Sequence, residues 1–240
     1  MNYFENVIHY LNKANDTQTS AMEAAAKLVA KSIGKGGLVY VFGCGHSHLI
    51  ALDCFYRAGG LASVYPILKE DLMLHESASL SSVLEKDEKS VYGLLDGYNI
   101  GENDVLFVIS TSGKNGAPVD VALQGKKKGV PVVAICSSEY FKDKSKHSSH
   151  KLLKDVGDVV IDNCVPHGDA VLEITGGGVK SAPVSTAVTS FIMQNVIALG
   201  EKFAVENGSL PDVFMSGNVE GGAEFNEALI KKYKPLVKCL

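Results

Sequence analysis

The segment Asp104-Val105-Leu106-Phe107-Val108-Ile109-Ser110-Thr111-Ser112-Gly113-Lys114-Asn115 constrains this chain more than any other. It opens as an unbroken apolar, β-branched run, the pattern of a parallel strand buried on both faces. It then breaks into hydroxyls and a glycine, and Ala117 to Lys128 reads as a helix. Hydroxyls and unpaired backbone N–H groups therefore converge at a helix N-terminus, a setting that attracts phosphate or another anion. The competing reading is an ordinary βα turn in which one Ser or Asn caps the helix. Three consecutive hydroxyls beside Gly113 exceed what one cap needs.

The same strand-then-helix alternation runs along the chain. Residues 2–33 carry Phe4, Val7, Ile8, Leu11, Met22, Ala25, Ala26 and Val29 at helical spacing, as one long helix or as two interrupted at Asn15 to Ser20. Leu38 to Phe42 is a buried strand, followed by the turn Gly43-Cys44-Gly45-His46-Ser47-His48 and a helix from Leu49 to Ala58. Ala62 to Pro66 is a short strand. Residues 67–87 read as irregular, and Ser90 to Tyr98 as helical. Val130 to Cys136 and Val159 to Asp162 are further strands, separated by a polar, lysine-rich excursion over 137–154 in which His147 and His150 look solvated. A Gly-rich stretch over 163–182 leads to a long apolar helix from Pro183 to Glu206, and a last helix runs from about Ala223 to Tyr233. This alternation predicts a parallel sheet covered on both faces. Ligands of such sheets sit at the carboxyl ends of the strands, where the strand order reverses. Both Ser-containing turns lie at such ends. No linker or internal repeat divides the chain, which is expected to form one domain: a helical appendage at 1–33, a core at 34–206 and a helical tail at 207–240.

Composition narrows the function classes. A chain of 240 residues, 46% hydrophobic, can bury a sizeable core. Its formal charge of −4 gives no footprint for nucleic acid. No stretch approaches the ~18 apolar residues of a membrane span. The N-terminus lacks a signal peptide's basic start and apolar core. Five scattered cysteines in apolar contexts read as reduced thiols of a cytoplasmic protein. His48 stands where a dinucleotide fingerprint needs its third glycine, and Gly113-Lys114-Asn115 lacks the hydroxyl and the upstream glycine of a P-loop, so no nucleotide cofactor is expected. Cys44, His46 and His48 would hold zinc only with a further ligand from elsewhere, and no metal is expected.

The two turns together resemble those of the sugar isomerase (SIS) domain family, whose first turn is of Gly-x-Gly-x-Ser type and whose second is of Ser-x-Ser-Gly-x-Thr/Asn type. They stand here as Gly43-Cys44-Gly45-His46-Ser47 and Ser110-Thr111-Ser112-Gly113-Lys114-Asn115, with Pro183-Val184-Ser185-Thr186 opening a later helix. The resemblance spans about residues 30 to 205 and is nearest to a phosphoheptose-isomerase-like branch. It implies a three-layer α/β/α sandwich on a five-stranded parallel sheet with flavodoxin-like winding, preceded by an N-terminal helix. It also implies a homodimer or higher homo-oligomer and a phosphorylated sugar as ligand. Carried over, Ser110, Ser112 and Asn115 would hold the phosphate with Thr111 and the backbone of Gly113. Ser47 would add a bond from the first turn, and Ser185 and Thr186 would complete the pocket.

Aldose–ketose isomerisation moves a proton between neighbouring carbons through an enediol, which requires a base and a donor to the carbonyl oxygen. In the family the base is often a Glu after the second strand. Glu76, beside His75, is the first choice here. Glu85 is the second, because Glu85-Lys86-Asp87-Glu88-Lys89 also reads as a solvated helix start. His46, His48 and His167 are candidate pocket-lining residues. The last helix carries no His of the kind isomerase relatives often place there. A non-catalytic phosphosugar sensor and an amino-sugar-phosphate etherase or lyase are the alternatives to an isomerase.

Overall fold

The computed structural model describes residues 1–174 and 176–240. Five parallel strands, β1 (Val39–Gly43), β2 (Val64–Ile67), β3 (Val105–Ile109), β4 (Val132–Cys136) and β5 (Val159–Asp162), form one sheet in the order β2-β1-β3-β4-β5. Successive side chains of a strand point to opposite faces, so each apolar strand serves two cores at once. Tyr40, Phe42, Leu106, Val108, Val132 and Ala134 face one layer, built from α4 (Gly116–Lys127) and α6 (Gly222–Tyr233). Val39, Val41, Val105, Phe107, Ile109, Val133 and Ile135 face the other, built from α1 (Tyr3–Gly34), α2 (His48–Cys54) and α5 (Ser185–Glu206). The result is the expected three-layer α/β/α sandwich.

The polar stretch at 15–20 does not interrupt α1. Thr17 and Thr19 donate their hydroxyls to the carbonyls of Lys13 and Asn15, one turn back, and the helix absorbs them. An Asn2/Glu5 capping box starts it. Ala14, Met22, Ala25, Ala26 and Val29 lie in the core, so residues 1–33 form a wall of the sandwich. This wall packs closely on α5. A Cβ built on Gly200 would stand 2.6 Å from Val29 Cγ1 and 3.1 Å from the Ala26 carbonyl oxygen.

Three segments depart from expectation. Residues 67–87 are not irregular: a 3-10 turn at Glu70–Leu72 leads into α3 (Leu74–Leu84), kinked at Ser77. Residues 90–98 are not an α-helix. They split into 3-10 turns Glu88–Val91 and Leu94–Gly97, because Gly93 takes a left-handed conformation between them. The Gly-rich stretch contains an antiparallel hairpin, β6 (Ala170–Glu173) and β7 (Lys180–Pro183), and Pro183 ends that hairpin before α5 begins at Ser185.

The chain runs from β1 outward to β2, then back across to β3 on the other side of β1. That reversal places a crevice above the carboxyl ends of β1 and β3, where Gly43 pairs with Ile109. The α1–α5 contact leaves no room for added volume. Gly200→Ala is therefore expected to lower stability by about 1–3 kcal/mol, read as a drop in the denaturant midpoint at unchanged slope.

Candidate functional site

Both turns begin at the switch point, and each is shaped by a glycine. A Cβ on Gly43 would stand 2.6 Å from the Ser47 backbone, so the first turn folds back tightly enough to present Ser47. Gly113 has φ +57°, and its turn passes close over Cys136. Between the turns lies a small cleft lined by His46, Ser47, Ile50, Ile109, Thr111, Ser185, Thr186 and Thr189.

The backbone of the second turn is oriented by its own carbonyls. The Ser110 carbonyl accepts from the Gly113 N–H at 2.9 Å, and the Thr111 carbonyl from Ser137 at 2.8 Å. The Gly113 carbonyl accepts from Leu153 at 2.7 Å, and the Lys114 carbonyl from Lys146 at 2.8 Å. In a trans peptide the next N–H points opposite to the carbonyl, and no peptide among the described residues is cis. The N–H groups of Ser112, Lys114 and Asn115 are thus turned away from the 137–153 segment, and that of Thr111 away from the Gly113 N–H. None of them has a partner among the described residues. With the positive end of the α4 dipole behind them, these four donors are the groups with which this turn could hold an oxyanion.

The expected ligands divide by role. Ser47, Thr111, Ser185 and Thr186 line the cleft. Ser112 and Asn115 bring open N–H groups. Ser110 is buried, with its Oγ 3.3 Å from the Gly113 N–H, so Ser110 and Gly113 shape the turn and Gly113 has no donor to spare. The Asn115 side-chain amide donates to Glu85 Oε1 at 2.8 Å. That bond fixes the orientation of the amide and leaves its oxygen, an acceptor, without a partner. Ser185 donates its hydroxyl to Asp169 Oδ2 at 2.6 Å, while Asp169 Oδ1 accepts the Ser185 N–H at 2.8 Å. The N-terminus of α5 is therefore closed by a carboxylate of the chain itself.

Asp169, Asn163 and Thr189 escaped sequence reading. Asn163, fully buried just past β5, spans from Thr111 Oγ1 at 3.4 Å to Thr189 Oγ1 at 3.3 Å and so ties the second turn to α5. A polar Asp162-Asn163 pair ending an apolar strand was the available signal.

The candidate acid–base groups His75, Glu76 and Glu85 belong to α3 and its C-terminal end and are not among the residues that line the cleft. His75 and Glu76 open α3, with Nε2 and Oε1 3.6 Å apart and side chains 60% and 58% exposed. Glu85 is half-buried beneath Asn115 and is not a solvated helix start. His46 lines the cleft, and His48 does not. The His48 ring is buried against the Gly45 carbonyl. Burial lowers its pKa, opposed by the Gly45 bond and reinforced by the charges of His75 and His46. His167 also lies outside the cleft, stacked on Tyr140 at 4.3 Å with Nε2 3.7 Å from Asp143. Asp143 in turn holds Lys114 Nζ at 2.5 Å over the Tyr140 ring. That hydrogen bond keeps the Asp143 carboxyl below its usual range and Lys114 occupied. Among the described residues no three His, Cys, Asp or Glu are grouped to hold a metal ion, and no helix is long and apolar enough to cross a membrane.

Asp169 both caps α5 and sets a negative charge beside the cleft. Asp169→Ala is expected to cost about 1 kcal/mol of stability in a thermal melt. The same variant should bind inorganic phosphate several-fold more tightly by titration calorimetry, because Ser185 and the α5 N-terminus become free to donate.

The family model described as SIS domain matches residues 2–137 of this chain. A UPF0309 protein of Thermoanaerobacter pseudethanolicus is 42% identical over 245 aligned residues, covering 100% of this chain and 99% of its own. A UPF0309 protein of Listeria innocua is 42% identical over 240 residues, covering 100% and 97%. Among solved structures, a phosphoheptose isomerase from Francisella tularensis matches with a TM-score of 0.58 at 14% identity, over 83% of this chain and 95% of its own. A phosphoheptose isomerase from Neisseria gonorrhoeae matches with a TM-score of 0.52 at 16% identity, over 82% and 94%. At these identities the two structures speak for the fold.

Proposed function

Given that this chain belongs to the SIS domain family and, within it, to the UPF0309 proteins, we propose that it binds a phosphorylated sugar in the cleft between β1 and β3 and isomerises it between aldose and ketose. The observation that carries this reading is the set of four outward N–H groups at the α4 N-terminus, beside a cleft lined by hydroxyls. The phosphate takes the N–H groups of Thr111, Ser112, Lys114 and Asn115, with hydroxyl bonds from Ser47, Thr111 and Ser112. Thr186 borders the sugar. Ser110, Gly113, Asn115 and Ser185 hold the walls of the site.

In the isomerisation Glu76 takes the proton from the carbon next to the carbonyl. The freed electron pair passes to the carbonyl oxygen, which His46 or His75 stabilises by donation. The former carbonyl oxygen then takes up a proton, the neighbouring hydroxyl gives one up and becomes the new carbonyl, and Glu76 returns its proton to the former carbonyl carbon. Glu85, held by Asn115, is the alternative base. The exposed apolar residues Leu49, Leu52 and Tyr56, on and just after α2, support pairing with a second copy of the chain. Five unpaired thiols support a reducing, cytoplasmic setting.

A thermal-shift screen against sugar phosphates, their parent sugars and inorganic phosphate tests the binding. A ligand that binds only the folded state raises the midpoint. A shift with one phosphosugar and none with its parent sugar is expected, and Thr111→Val should reduce it. Absence of any shift at millimolar phosphosugar would overturn the reading. With the ligand identified, Glu76→Gln is expected to abolish turnover while the shift remains. Turnover lost in Glu85→Gln and kept in Glu76→Gln moves the base to Glu85. Binding with no turnover by wild type leaves a sensor.

A further inference from the structure

The segment over 137–153 reads in sequence as a solvated, lysine-rich loop, yet it supplies three of the four N–H groups that hold the carbonyls of the cradle. Its anchor is a histidine. His147 is only 6% exposed, with Nε2 3.3 Å from Asp120 Oδ1 and 3.4 Å from Glu88 Oε2. Its Nδ1 accepts the Ser149 N–H at 3.0 Å. The same nitrogen lies 2.8 Å from Ser149 Oγ, while Nε2 faces both carboxylates. Asp120 lies in α4, where its other oxygen accepts from Gln124 at 2.6 Å. Glu88 lies in the 3-10 turn after α3. It accepts the Ser148 N–H at 2.6 Å and the Tyr92 hydroxyl at 2.9 Å. One imidazole thus joins the strap, α4 and the turn at Glu88.

The residue before it, Lys146, donates the N–H that turns the Lys114 carbonyl away from the cleft and so turns the Asn115 N–H outward. We propose that His147 is a positioning residue for the oxyanion cradle: by pinning the strap to Asp120 and Glu88 it fixes the peptide planes at 114–115, without touching the ligand. This rests on the reading that the turn binds phosphate. Loss of the ring frees the strap at 146–148, lets the Lys114 carbonyl swing and scatters one of the four donors. The core strands and helices are left in place.

The test is titration calorimetry with inorganic phosphate, beside amide hydrogen exchange read at Lys146 and Asn115. In His147→Ala, phosphate affinity is expected to fall about tenfold or more, and exchange at Lys146 should rise while exchange in β3 and β4 stays as in wild type. His147→Gln, whose amide can donate from nearly the same point, should recover most of the affinity. Should His147→Ala fail to fold, Asp120→Asn, which removes one acceptor charge, is expected to show the same loss in a milder form. Unchanged affinity in a wild-type background that does bind phosphate overturns the role of His147 alone. Unchanged exchange at Lys146 overturns it as well. A wild-type chain that ignores phosphate overturns the cradle itself, and the role of His147 with it.

Discussion

The parallel pairing of Gly43 with Ile109 is the constraint on which the site depends. Because β2 and β3 leave β1 on opposite sides, nothing crosses above that pair, and the two turns that follow must diverge around an open crevice. The strands meet there only because each is apolar on both faces and is covered by helices on both. The packing of α1 and α5 on one face and α4 and α6 on the other is therefore a condition of the site as well as of stability.

Strand pairing places the second turn, and its carbonyls orient it. Each carbonyl that finds a donor behind the turn commits one N–H in front of it, since the peptide plane rotates as a unit. In the proposed function, selectivity for an anion comes from bonds made on the side away from the ligand. This explains how a chain with a net charge of −4 can offer a phosphate site without concentrating basic side chains there. The lysine in the turn, Lys114, is held by Asp143 over Tyr140.

The fold was legible because its signals are periodic. Buried strands such as Val105–Ile109 and long apolar helices such as α5 show in any window of the chain, and the two Ser-containing turns show by their composition. What stayed hidden depends on partners distant in sequence. His147 sits among serines and lysines and looks solvated, because the carboxylates that bury it lie at Glu88 and Asp120. Asn115 looks like a phosphate ligand until Glu85, thirty residues earlier, claims its amide. Ser185 looks free until Asp169 claims its hydroxyl. The helix expected over 90–98 failed for a local reason. Gly93 adopts the left-handed conformation that ends one short turn and starts another.

Two helix N-termini reach the same edge of the sheet, and the chain treats them oppositely. At α5 the Asp169 carboxylate takes the Val184 and Ser185 N–H groups and the Ser185 hydroxyl, which fills that end with the protein's own anion. At α4 no acidic side chain enters the first turn: the Glu85 carbonyl takes the Ala117 N–H at 3.0 Å, Pro118 has no N–H to cap, and the N-cap Asn115 turns its amide to the Glu85 side chain. In the proposed function, this contrast favours one direction for a phosphosugar. In that reading the phosphate sits at α4, away from the charge of Asp169, and the sugar extends past Thr111 toward Thr186.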